Sequence, residues 1–169
     1  MNKFLATAGA IALLALTSAP AQAASPSAQA NATAKIYRPL TISKTTDLDF
    51  GVVVIAGTSF AAETVTVSTA GAVTCGGGVN LTCSGSPTAA RFHLVGSNNA
   101  LVTVSSPTFN LTGPGTLAVT PSSTSQSVNL GASGSTSGVD VDLGASIPVS
   151  SATAEGVYTG TWTVTADYQ

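Results

Sequence analysis

Every second residue from Tyr158 to Tyr168 is apolar or small: Tyr158, Gly160, Trp162, Val164, Ala166 and Tyr168. Thr159, Thr161, Thr163, Thr165 and Asp167 fill the positions between them. Side chains alternate faces along a strand, so this period of two predicts a strand over Val157–Tyr168 with one face covered and one wet. A helix would scatter the same residues around its circumference. Further β-branched or alternating runs predict strands at Ala32–Ser43, Asp49–Ile55, Glu63–Ser68, Ala89–Val95, Leu101–Val104, Thr108–Leu111, Thr116–Val119, Ser127–Leu130 and Val139–Leu143. Gly, Pro, Asn and Ser break them apart, as in Gly96-Ser97-Asn98-Asn99 and Gly113-Pro114-Gly115. The Ser/Gly/Thr-rich stretch 122–138 reads as a long flexible hairpin around Val128-Asn129-Leu130. Many short strands at this spacing predict an all-β fold, an immunoglobulin-like β-sandwich.

Composition narrows the partners. Charged residues are 7% of the chain, with 5 basic against 7 acidic and no basic run, so phosphate binding and hence nucleic acid are excluded. The same scarcity of Glu, Lys and Arg excludes a coiled coil. A hydrophobic fraction of 44% with so little charge argues against disorder.

The first segment reads as a targeting signal. Lys3 precedes an apolar run from Phe4 to Leu16, and Ala21-Gln22-Ala23 supplies a small-residue cleavage site. The run falls short of the roughly 20 apolar residues a membrane span needs. A secretory signal over 1–23 is expected, with export to the periplasm and then the cell surface or medium, and no transmembrane segment in the mature chain. Export sets the redox context of Cys75 and Cys83. In an oxidising compartment a pair this close predicts a disulfide. A zinc site lacks ligands, because His93 is the only histidine.

No catalytic constellation is visible. Asp49-Phe50-Gly51 matches the kinase metal triplet, but no glycine-rich loop or catalytic loop accompanies it, so Phe50 reads as a core residue at a strand start. Asp47/Asp49 and Asp140/Asp142 each put two carboxylates on one strand face, without the six to eight oxygens that calcium takes. His93 sits inside a strand pattern with no G-x-S-x-G elbow, and reads as structural. Asn31-Ala32-Thr33, Asn80-Leu81-Thr82 and Asn110-Leu111-Thr112 match the glycosylation sequon, which arises easily among 46 Ser and Thr. No catalytic residue, metal or cofactor is expected, and an enzyme is not the expectation.

The two ends of the mature chain carry the functional signal. The terminal alternating strand has a penultimate Tyr168 and places Gly156 fourteenth from the end. This resembles the C-terminal signature of bacterial pilins assembled by the chaperone–usher route. The resemblance implies that the strand pairs first with a periplasmic chaperone, delivered to an outer-membrane usher, and later borders a groove filled by the next subunit's N-terminal strand. At the other end Ala28, Ala30, Ala32, Ala34 and Ile36 alternate with polar residues, as a donor strand does. The segments Ala34–Lys44, Asp47–Gly51 and Gly156–Gly160 together resemble a secreted bacterial domain-of-unknown-function family likened to the major subunit of Mat/Ecp-type fimbriae.

The chain is thus expected to divide into a signal peptide (1–23), an extension serving as candidate donor strand (24–36) and one sandwich domain (37–169). The implied function is a structural subunit of a surface fimbria that polymerises with its own copies. The interface would comprise Ala28, Ala30, Ala32, Ala34 and Ile36 on one side and Gly156, Tyr158, Trp162, Val164 and Tyr168 on the other. The alternative is a free-standing exported sandwich that binds a ligand or coats the surface without polymerising.

Overall fold

The structure, a computed structural model, describes residues 25–169. The expected signal segment lies outside the described residues. The chain divides into two units, 1–35 and 36–169. In the first, residues 25–35 are exposed and form no strand. The second carries thirteen strands among the described residues and no helix.

Alternation builds each strand. β6 (Ala90–Val95) buries Ala90, Phe92 and Leu94 and turns Arg91 and His93 outward. It lies between β1 (Thr41–Thr46) and β11 (Val139–Leu143) in an antiparallel three-stranded sheet. A second sheet has the order β10 (Ser125–Asn129), β7 (Leu101–Ser105), β13 (Thr165–Tyr168). Phe92, Leu94, Val141 and Leu143 of the first pack with Val102 and Val104 of the second, forming one core.

A five-stranded sheet holds β4 (Val73–Cys75), β3 (Glu63–Val67), β12 (Ala145–Val149), β9 (Thr116–Pro121) and β8 (Phe109–Thr112), in that order. It packs against the ribbon of β2 (Val52–Ile55) and β5 (Leu81–Ser84). Val65, Val67, Val119, Ile147 and Val149 meet Phe50 and Leu81 in this second core. Several passes of the chain serve both halves. β11 and β12 are separated only by Gly144, and β7 and β8 by three residues. The result is a β-sandwich with two cores, joined where consecutive strands carry the chain from one to the other.

The strand boundaries differ from expectation in four places. The first strand begins at Thr41, and the stretch 32–40 forms no strand. Pro39 supplies no N–H there, and Arg38 N instead donates to Ser97 Oγ at 2.6 Å. The last strand covers only Thr165–Tyr168, because its partner β7 ends at Ser105 ahead of Pro107. β4, β5 and β12 were not expected. The first two are short and flank a glycine-rich loop, and the third contains Pro148, where the ladder to β9 has already stopped at Ser146. The stretch 131–138, expected as flexible hairpin, is tied back to the turn at 96–99. Gly96 N donates to Gly134 O at 2.9 Å, Asn99 N to Gly131 O at 2.7 Å and Ser135 N to Asn98 Oδ1 at 2.7 Å.

Candidate functional site

Where the last strand leaves β7, the sandwich opens. From Gly160 to Val164 no residue joins a ladder, and the one link upstream is the bridge between Thr159 and Thr112. Across from this segment, β2 pairs with β5 on one side only. Between the segment 153–162 and the stretch 44–55 lies a cleft of about 1040 Å³. Its lining includes the core residues Phe50, Phe92, Leu117, Ile147 and Val149, so the cleft opens onto the interior. Val52 (55% exposed), Val54 (50%) and Val157 (81%) leave its rim apolar. Exposed apolar patches of this kind are where proteins bind partners or ligands.

The aromatic residues of the cleft have fixed positions. Trp162 stacks on Phe109 with ring centroids 5.2 Å apart and meets Phe92 edge-on at 6.2 Å. Its Nε1–H donates to Pro107 O at 3.1 Å, so the indole's one polar atom is satisfied by the backbone. Tyr158 donates its hydroxyl hydrogen to Ala154 O at 2.8 Å, closing its own loop. Two glycines let the segment lie close to the β8–β9 turn. A Cβ on Gly160 would collide with Asn110 O, and one on Gly156, at φ +146°, would press on the Pro114 ring. The close neighbour of both glycines is therefore this chain itself.

The alternation read from the sequence holds at the level of burial: Tyr158, Trp162, Val164, Ala166 and Tyr168 are half-buried and the intervening residues exposed. Of the expected interface residues, Gly156, Tyr158 and Trp162 line the cleft. Val164 does not; it packs on the first core. Tyr168 sits at the far end, where its hydroxyl accepts from Ser97 N at 2.7 Å and donates to Arg38 O at 2.9 Å. Ala28, Ala30, Ala32 and Ala34 are exposed, and Ile36 is 91% exposed. The wall formed by Val52–Ile55 was missed as a functional element. Its signal was present: β2 is the only described strand made wholly of apolar residues.

The other singled-out groups are occupied. Cys75 and Cys83 form a disulfide with Cα atoms 5.7 Å apart. Asp140 meets His93 Nδ1 at 2.6 Å, and Asp142 takes a two-pronged contact from Arg91 at 2.6 and 3.0 Å. The Asp142 hydrogen bond, and then its charge, hold the Arg91 guanidinium above its ordinary pKa. Asp47 pairs with Lys44 at 2.6 Å, and Asp49 Oδ1 accepts from Gly51 N at 2.8 Å. Among the described residues no group of three or more His, Cys, Asp or Glu converges as metal ligands would.

No curated protein and no solved structure matches the chain. Residues 40–168, which hold every described strand, match the sequence model of a family described as a domain of unknown function, DUF4402, and the chain belongs to that family.

Proposed function

We propose that this chain is a structural subunit of a bacterial surface fimbria, in which the segment around Ala28–Ile36 of one copy adds as a strand to the cleft of the next. The observation that carries the reading is the cleft itself. Core side chains line it, between two stretches of backbone whose facing edges make no ladder. An added strand supplies what both lack: N–H and C=O partners for the edges and cover for the apolar floor. The strand order β1-β6-β11 against β10-β7-β13 supports an immunoglobulin-like sandwich, and the cleft lies ahead of β13, where the segment 160–164 joins no ladder.

The proposed occupant has the matching chemistry. Residues 25–34 form no strand, and Ala28, Ala30, Ala32 and Ala34 alternate with Gln29, Asn31 and Thr33. Alanine methyls fill shallow pockets, so most of the attachment would come from backbone hydrogen bonds at about 0.5–1.5 kcal/mol each. A periplasmic chaperone and an outer-membrane usher are the partners this route requires, one to cover the cleft in transit and one to exchange its cover for the next subunit.

Electron microscopy of cells with and without the protein tests the proposal. Loss of a fibre population on deletion is expected. Fibres unchanged in number and form would overturn it and favour a free-standing exported sandwich.

A further inference from the structure

Between residues 25 and 36 the sequence holds a single charged side chain, Lys35. The cleft it is proposed to approach carries the opposite sign. The charged residues of the lining are Lys44, Asp47, Asp49 and Glu155. Lys44 pairs with Asp47 at 2.6 Å, and Asp49 Oδ1 accepts from Gly51 N. Glu155 stands exposed at the rim, two residues from the exposed side chain of Val157.

Backbone direction limits how a strand can enter. Thr159 exchanges two hydrogen bonds with Thr112, and Gln169 N donates to Leu101 O. Odd-numbered residues at both ends of the last segment thus turn their N–H and C=O toward β8 and β7. Successive peptides of an extended chain point opposite ways, so Tyr158, Gly160 and Trp162 turn theirs toward the cleft. Directly opposed residues share a face. Alanine must therefore stand opposite Tyr158 and Trp162, because a slip of one residue would turn Gln29, Asn31, Thr33 and Lys35 into the apolar cleft. Direction follows from where the incoming copy's own domain, which begins at Ile36, can stand. At the Thr165 end β13 touches β1 and leaves no opening, whereas the rim at Glu155–Val157 is exposed. A strand entering from that rim runs antiparallel and sets Ala34 opposite Tyr158, Ala32 opposite Gly160 and Ala30 opposite Trp162. Lys35 then falls opposite Val157, with Glu155 on the diagonal.

We infer that Lys35 of the incoming copy fixes the register of the added strand, laying its aliphatic stem over Val157 and its ammonium against Glu155. The inference rests on the strand-addition reading and supplies what the alanines lack. Their methyls are interchangeable: sliding the strand by two residues brings Ala32 opposite Tyr158 and Ala28 opposite Trp162, with the same chemistry on the cleft face. The charge tells one such register from the next. A lysine stem covers apolar surface while its head stays in water, which suits the exposed Val157. A diagonal cross-strand neighbour lies within reach of a long side chain. A charge pair at a rim selects partner and register more than it adds affinity.

The test uses the dilute full mature chain and a synthetic peptide of residues 25–36, amidated at its C-terminus, with binding followed by the fluorescence of the single Trp162. Wild-type and Glu155→Lys chains are each titrated with wild-type and Lys35→Glu peptides. Each single reversal should weaken binding on the order of threefold at low salt, and the doubly reversed pair should return to within about twofold of wild type. The differences should shrink at about 0.5 M salt. Equal affinities in all four pairings, or no recovery in the doubly reversed one, would overturn the inference. Oxidative cross-linking reads the register directly. A Val157→Cys chain should join a Lys35→Cys peptide and not a Ser27→Cys peptide, which a parallel strand would bring to the same place. Preference for Ser27→Cys would overturn the inference. A wild-type peptide that binds neither chain overturns the strand-addition reading and this inference with it, whereas binding indifferent to charge overturns the inference alone.

Discussion

The ring of Tyr37 stacks on the ring of Tyr168, centroids 4.3 Å apart and planes 21° from parallel. One residue stands just after the extension and the other just before the end of the chain. The Tyr168 hydroxyl adds hydrogen bonds to Ser97 and Arg38. The two ends of the sandwich domain are thus clasped together by one aromatic pair.

Tyr168→Phe keeps the stack and removes the hydroxyl. Ser97 N and Arg38 O each lose a partner, which should lower stability by about 1–3 kcal/mol. Urea unfolding followed by Trp162 fluorescence checks this, and a midpoint equal to wild type would show that the clasp is held by stacking alone. Tyr37→Ala isolates that stack, worth about 0.5–1.5 kcal/mol beyond buried area.

If strands are donated as proposed, Ala32→Trp should block fibre assembly while leaving the domain folded, because an indole replaces a methyl group in the donated strand. Deleting 25–34 should yield soluble or chaperone-bound subunits with sheet content retained by circular dichroism. Normal fibres from the deletion would show that this segment is not a donated strand.

Val54→Lys places a charge on the bare edge of β2. Val54 is 50% exposed, so stability should change by no more than about 0.5 kcal/mol. Strand addition should fail, since a lysine on an edge strand opposes pairing with another chain. Size-exclusion chromatography and microscopy read the two effects separately.

Arg91→Met removes the cation that Asp142 holds. The Arg91 pKa is raised, so any stability it contributes is present at every pH below its unfolded value and lost only as pH rises through the folded one. Both lie above the range in which proteins are handled. The difference in melting temperature from wild type should therefore be the same at about pH 6 and about pH 9. A difference that grows between them would assign the effect to another group.

Much of the fold was legible because it rests on alternation. Ala90–Val95 and Val139–Leu143 stand where their patterns put them, and the disulfide follows from two nearby cysteines in a chain read as exported. The cleft was half legible. The wall carrying Tyr158 and Trp162 announces itself by period, but period cannot show that pairing stops at Thr165. That depends on where β7 ends, which Pro107 decides some sixty residues away in sequence. The opposite wall, Val52–Ile55, has no alternation to read. Phe109 joins the site only because β8 lies behind Trp162, a contact across 53 residues that no local pattern encodes.

The strands at the borders of the sheets are not alike. β11 carries Asp140 and Asp142 at its border, each already engaged by a basic neighbour, whereas β2 presents four apolar residues and no charge. Charge on one border discourages growth there, and its lack on another permits it. If the strand-addition proposal holds, the β11 border is closed to an incoming strand by its paired carboxylates, while the β2 border stays open to one.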